Sequence, residues 1–191
     1  MGYEMRTNQT KILLHMCCAP CTTYPLQQLR GSWERIIGFY YNPNIHPYQE
    51  YEKRLSAVRR LAEMTGIEVI YRDEYDLEDF LRAVVFREEH RCRYCYHRRL
   101  EAAARTAAKS GFDAFTSTLL YSRLQKHDLI AEIGESLGKK WGVPFHYGDF
   151  RKGWKEGIAL AKEMGLYRQQ YCGCIYSEKD RFYPAKKGGT A

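Results

Sequence analysis

The sequence predicts an α/β fold, a doubly wound and mostly parallel sheet, and three observations predict it. Short apolar runs alternate with longer segments of helical spacing along the chain, the pattern of strand–helix–strand units joined by right-handed crossovers. The apolar runs are too short to be helices on their own. Turn residues, Asn42-Pro43-Asn44, Gly66, Gly111 and Gly165, fall between the segments, where chain reversal needs them.

The elements follow in order. Lys11-Ile12-Leu13-Leu14-His15-Met16 reads as a buried first strand that runs directly into Cys17. Thr23 to Leu29 is a short first helix. Ile36 to Tyr41 is a second strand, closed by Asn42-Pro43-Asn44. Tyr48 to Thr65 carries apolar residues at helical spacing through Tyr51, Leu55, Val58, Leu61 and Ala62, with Gly66 as its stop. Glu68 to Tyr71 is a third strand. Leu77 to His90 and Tyr94 to Lys109 read as helices, and a fourth strand lies within Phe112 to Leu119. Lys126 to Trp141 is helical, Val143 to Tyr147 a fifth strand, and Trp154 to Met164 a last helix. The tail over 179–191 is expected to fray, leaving 1–191 as a single domain. In folds of this class ligands bind beyond the carboxyl ends of the strands. Cys17, the loop Asn42 to Pro47 and the loop Thr118 to Lys126 are therefore expected to face one crevice.

With 191 residues the chain buries a sizeable core without staples. No apolar stretch reaches membrane-spanning length, so no membrane role is expected. The formal charge of +7 favours a polyanionic partner such as nucleic acid. Arg82, Arg87, Arg91, Arg93, His97, Arg98 and Arg99 crowd one region; this is the pattern of an RNA-facing rim and equally of a solvated helix face. Sixteen tyrosines supply rings that either stack on bases or pack the interior.

Seven cysteines fall into three tight groups: Cys17, Cys18 and Cys21; Cys92 and Cys95; Cys172 and Cys174. Isolated buried cysteines have no reason to cluster. The count is odd and the opening residues are polar rather than a secretory signal, so a disulfide framework is disfavoured and a reducing, cytoplasmic setting expected. Metal ligation or thiol redox chemistry remains. Four thiolates could hold one metal or iron–sulfur centre, leaving three for redox work or a second site.

Each group has its own logic. Cys17 and Cys18 point oppositely in a regular strand, so they face one centre only where the strand breaks; Pro20 supports the break, and Cys21 lies three beyond Cys18. Cys92 and Cys95, three apart near a helix start, project onto one face beside arginines that favour thiolates. Cys172-Gly173-Cys174 closes only into a small, strained and therefore labile disulfide, or serves as a metal-ligand pair. His15, His46, His127 and His146 are candidates for proton or metal chemistry, His46 foremost because its loop faces the crevice. Asp128 opens a helix, where an acid also fits the helix dipole. Tyr121 to Lys126 reads as a phosphate cradle or as a polar loop. No GxxxxGK[ST], no GxGxxG and no SGGxDS-like loop is present, which argues against P-loop, dinucleotide and ATP-pyrophosphatase chemistry.

The motifs taken together resemble the QueH-type epoxyqueuosine reductases. They are Leu13 to Cys21, Tyr41 to Pro47 with Glu50, Tyr51 and Arg54, Cys92-Arg93-Tyr94-Cys95, Phe115 to Leu120 with Ser122 and Lys126, and Tyr171-Cys172-Gly173-Cys174. The resemblance implies a [4Fe–4S] oxidoreductase that converts epoxyqueuosine to queuosine in the anticodon loop of tRNA, with an electron donor that the sequence does not identify. It implies Cys17, Cys18, Cys92 and Cys95 as cluster ligands, Cys172 and Cys174 as a redox-active pair, and an additional iron held with Cys21. His46 or Asp128 would protonate the departing oxygen. The expected fold is then Rossmann-like, of the HUP kind, with a helical insertion carrying Cys92 and Cys95. A zinc-stabilised RNA-binding module and a generic thiol–disulfide oxidoreductase are the competing readings.

Overall fold

The computed structural model describes residues 10–184. Four strands, β1 (Lys11–His15), β2 (Arg35–Tyr40), β3 (Glu68–Tyr71) and β4 (Ala114–Ser117), form one sheet in the order β3-β2-β1-β4. All the strand pairs are parallel, with Leu13 of β1 beside Ile37 on one flank and Phe115 on the other. Ile12, Leu13 and Leu14 are fully buried, as expected of a central parallel strand covered on both faces.

Around the sheet lie α1 (Ala19–Arg30), α2 (Tyr48–Thr65), α3 (Leu77–Val84), α4 (Arg91–Lys109), α5 (His127–Trp141), α6 (Trp154–Glu163) and α7 (Ile175–Phe182). Helix α1 packs on α2 and α6, while α4 packs on α5, β1 and β4. The chain winds outward from β1 through β2 to β3, then returns along α4 to β4 on the other side of β1. Right-handed crossovers in opposite directions put their helices on opposite faces. The reversal point therefore lies between β1 and β4, the place where open α/β sheets bind ligands.

Several elements differ from expectation. Helix α1 starts earlier than Thr23, because Cys18 caps it and Pro20 sits in its first turn, where a missing N–H costs nothing. The segment 77–90 is not one helix: α3 ends at Val84, Phe86 takes a left-handed φ of 62° and a single 3-10 turn follows. Cys92 and Cys95 consequently lie on the crossover helix α4 itself, and α3 is the inserted piece. The fifth strand shrinks to one bridge between Phe115 and Phe145. Pro144 accepts from Phe115 N–H but has no N–H to extend the ladder. The tail expected to fray from Lys179 is helical through Phe182; 185–191 lie outside the described residues. Among the described residues no helix is long and apolar enough to cross a membrane.

Candidate functional site

The first cysteine group forms where β1 stops. His15 ends the strand, and Cys18 takes an extended conformation as the N-cap of α1, its Sγ accepting from Cys21 N–H at 3.4 Å. This is the cap geometry usually supplied by a Ser or Asp oxygen. Cys17 is tied to the end of β4: its N–H donates to Thr118 Oγ1 at 2.9 Å, and that hydroxyl donates to Cys17 Sγ at 3.1 Å. The sulfurs of Cys17 and Cys18 are 3.9 Å apart, and those of Cys17, Cys18 and Cys21 all lie within 4.8 Å of one another. Two sulfurs on one tetrahedral ion, at a metal–sulfur length of ~2.3 Å, sit about 3.8 Å apart. The triad thus has the spacing to grip a single ion. Donors from Cys18, Cys21 and Thr118 hold the Cys17 thiol well below its ordinary range. Burial pushes Cys18 up, and hydrogen bonding within the triad pushes Cys21 up. Gln169 reaches in from the segment after α6, its Nε2 donating to Cys18 Sγ at 2.8 Å.

The second group lies in the opening turns of α4. Cys95 is buried, and Arg99, one turn on, donates from Nη2 to Cys95 Sγ at 3.1 Å and from Nε to the Cys95 carbonyl at 3.2 Å. Burial pushes the Cys95 thiol up to about 12, against the pull of Arg99. Cys95 packs with Cys174 against Phe80 and Val84, while Cys92 packs on the main core.

The third group sits on irregular chain fixed from outside. Arg54 of α2, 2% exposed, pairs with Glu50 at 2.7 Å and donates to the carbonyls of Cys172 (2.7 Å) and Tyr171 (3.0 Å). Tyr167 O–H donates to the second Glu50 oxygen at 2.6 Å. Tyr171 O–H donates to the His46 carbonyl at 2.5 Å, and His46 N–H donates to the Gly173 carbonyl at 2.8 Å. Gly173 has φ 151°, and a Cβ there would lie 3.1 Å from Asn44 Nδ2 and 3.3 Å from Arg54 Nη1. A residue with a side chain would strain this clamp. Cys172 Sγ accepts from Gln125 Nε2 at 3.2 Å. Protein surrounds this thiol, so its proton is held more tightly than usual, yet solvent reaches the residue through the cavity mouth.

These parts meet at one cavity of about 220 Å³, lined by Cys17, Cys18, Cys21, Cys172, Arg54 and Arg99, with Tyr121 and Trp154 on an aromatic wall. The rings of Tyr121 and Trp154 lie 5.2 Å apart, and Gly157 leaves the space that Tyr121 Oη fills. All seven cysteines are free thiols.

Other expected residues fall elsewhere. His46 belongs to the clamp through its backbone; its ring packs 4.9 Å from Phe80, neither nitrogen has a partner, and burial lowers its pKa to about 4. It does not line the cavity, nor does Asp128, which is exposed on the first turn of α5. His15 lies under the triad, bonded to Ser117 Oγ and the Tyr41 carbonyl. His127 bonds Tyr147, and the His146 ring meets Trp33 edge-on. The thiols gathered within reach of one ion among the described residues are Cys17, Cys18 and Cys21. The arginine crowd is largely paired, Arg82 with Asp79, Arg91 with Asp180, Arg93 with Glu132 and Arg98 with Asp76. A solvated, ion-paired helix face accounts for most of it. Gln125 and Gln169 carry no motif, and Thr118 lies within the Phe115–Leu120 motif without being marked there as a partner of sulfur. Their one sequence signal is position, in or near loops at the sheet edge.

The same architecture occurs in a solved structure described as the predicted subunit of tRNA methyltransferase from Methanocaldococcus jannaschii. It matches 81% of this chain and 75% of that chain with a TM-score of 0.52 at 14% identity, a likeness of fold alone. Sequence relatives are nearer. The protein is 41% identical over 172 residues to the epoxyqueuosine reductase QueH of Dehalococcoides mccartyi, covering 90% of this chain and 94% of the relative. It is 37% identical over 180 residues to that of Thermotoga maritima, covering 89% and 91%. The model of the family described as epoxyqueuosine reductase QueH matches residues 12–180, which span both the sheet and every cysteine, so the chain belongs to the epoxyqueuosine reductase QueH family.

Proposed function

We propose that the protein reduces the epoxide of epoxyqueuosine, carried in the anticodon loop of tRNA, to the alkene of queuosine. The observation that carries this reading is the convergence of Cys17, Cys18, Cys21 and Cys172 on one cavity at the reversal point of the sheet, with Cys95 tied to its wall through Arg99. The reaction cleaves both carbon–oxygen bonds of the epoxide and consumes two electrons and two protons, releasing water.

The donor set fits a metal centre. Soft thiolates crowd one edge of the sheet, and one of them, Cys17, is already held toward its anionic form. Cys17, Cys18, Cys92 and Cys95 would ligate a [4Fe–4S] cluster and Cys21 would help to hold an additional iron, the Cys17, Cys18 and Cys21 sulfurs lying close enough together to share one ion. A cubane takes one cysteine at each iron corner, so its ligands need not converge on a point. Such a centre supplies single electrons and a Lewis acid for the departing oxygen.

The chain's own residues do the rest. Tyr121 and Trp154 give the cavity an aromatic wall against which the unstacked modified base or its side chain lies. The Glu50–Arg54 clamp holds Cys172 at the cavity, where its retained proton and the Cys172–Cys174 couple stand ready to deliver reducing equivalents.

The test is direct. Anaerobically reconstituted protein, epoxyqueuosine-containing tRNA and dithionite should yield nucleosides lighter by one oxygen, measured by mass spectrometry. Absence of that product, with zinc as the bound metal and no iron or sulfide, would favour an RNA-binding zinc module. Turnover of generic disulfides by metal-free protein would favour a thiol–disulfide oxidoreductase.

A further inference from the structure

The molecule buries two arginines at the cavity, and they are not equivalent. Arg54 has its carboxylate, Glu50. Arg99 has none. It is 3% exposed, and its acceptors are the Cys95 carbonyl, Asn42 Oδ1 at 3.4 Å and Cys95 Sγ. No carboxylate pairs with it among the described residues; burial works against its charge, and the groups that favour it are the sulfurs of Cys95, Cys172 and Cys17, with Tyr96.

A guanidinium does not lose its proton in a protein. A buried, permanently charged group without a counter-ion costs several kcal/mol, so a fold that keeps one supplies an anion in the working state. Three of the five N–H donors are engaged, and Arg99 also lines the cavity. The anion belongs there, among thiols contributed by the β1–α1 junction, α4 and the 171–174 segment.

We propose that Arg99 is the fixed positive charge that balances the thiolate-bound metal centre and holds its reduction potential up. This rests on the reading above that the cysteines hold redox-active iron. Reduction adds an electron to a centre already made negative by its thiolates. A cation fixed a few ångströms away, screened little by water, stabilises the reduced form more than the oxidised form. The hydrogen bond from Nη2 to Cys95 Sγ acts in the same direction, because donors to ligating sulfur draw charge from the metal. Arg99 is a positioning and electrostatic residue in this scheme; it exchanges no proton or electron.

The experiment measures midpoint potentials by spectroelectrochemical titration of the visible absorption in anaerobically reconstituted full chain, with iron and sulfide quantified beside it. Wild type is compared with Arg99→Met, Arg99→Lys and Asn42→Asp. Arg99→Met removes the charge and should shift the potential to more negative values. Arg99→Lys keeps the charge and should stay close to wild type. Asn42→Asp leaves Arg99 in place but neutralises it from the side, and should shift the potential as Arg99→Met does. If Arg99→Met takes up less iron, uptake restored by Arg99→Lys supports the same role, whereas equal loss in both variants overturns it. Equal potentials in wild type and Arg99→Met at equal iron content overturn the inference and leave the reductase reading standing. Wild-type protein that takes up no iron overturns both.

Discussion

The first and last cysteine groups reach the same cavity by opposite means. Cys17, Cys18 and Cys21 are placed by local structure: a strand ends, a helix begins, and the sulfur of Cys18 caps that helix. Cys172 and Cys174 have no strand behind them. They are placed by a clamp from α2, in which Arg54, far away in sequence and itself paired with Glu50, donates to the backbone carbonyls of Tyr171 and Cys172. The first arrangement is fixed by the strand end and the helix cap, with Thr118 and Gln169 donating to its sulfurs from afar. The second depends on long-range bonds to the Arg54–Glu50 pair, the His46 backbone and Gln125. A ligand site suits the former, and a thiol pair that changes oxidation state suits the latter.

The largest break in this comparison comes from Arg54→Ala. It leaves Glu50 buried without its partner, at a cost of about 3–5 kcal/mol. Urea denaturation should show that loss, and peptide-mapped iodoacetamide labelling should speed up at Cys172 while the rate at Cys17 stays as in wild type. Equal acceleration at both sites would mean that the two regions are not held independently.

His46→Leu should act through pH. The buried imidazole has its pKa lowered to about 4 from 6.5, so the unfolded chain takes up the proton first. Its effect on stability is nil above about pH 6.5, and stability is lost as the pH falls from there toward 4, at up to about 1.4 kcal/mol per pH unit for this one group. The bonds from His46 to Tyr171 and Gly173 are made by backbone, so leucine keeps the clamp. Denaturation midpoints at pH 7 and pH 5 should differ less in the variant than in wild type. An unchanged difference would place the acid sensitivity elsewhere, His15 being the other buried imidazole lowered to about 4.

Cys18→Ser should do least to the fold. Serine is a favoured N-cap, so the metal-free variant should stay within about 0.5 kcal/mol of wild type, while cobalt(II) titration should show the triad site lost. A large drop in metal-free stability would show that the sulfur is needed for more than capping.

This contrast also explains what could be read from the sequence. Helix Tyr48–Thr65 and strand Glu68–Tyr71 were legible to the residue, because their apolar spacing and the stop at Gly66 are local signals. The break of Cys17-Cys18 out of the strand was legible for the same reason. The interruption at Val84–Phe86 was not: neither Gly nor Pro marks it, and a phenylalanine in a left-handed conformation has no sequence signature. Helix α7 was missed because none of its side chains is buried, leaving no apolar stripe to detect. The fifth strand was overread from an apolar run whose proline cannot extend a ladder. At the site, the cysteines announced themselves by spacing. Thr118, Gln125 and Gln169 did not, because their importance lies in which sulfur each one meets in space. Arg99 lay in plain view within a basic crowd, and only burial separates it from its ion-paired neighbours.

The cavity's walls are drawn from nearly the whole length of the chain, from Cys17 to Cys172. During synthesis the early thiols must therefore wait for a partner made more than a hundred residues later, and a chain stalled before Cys172 offers oxidants an unfinished nest of sulfur.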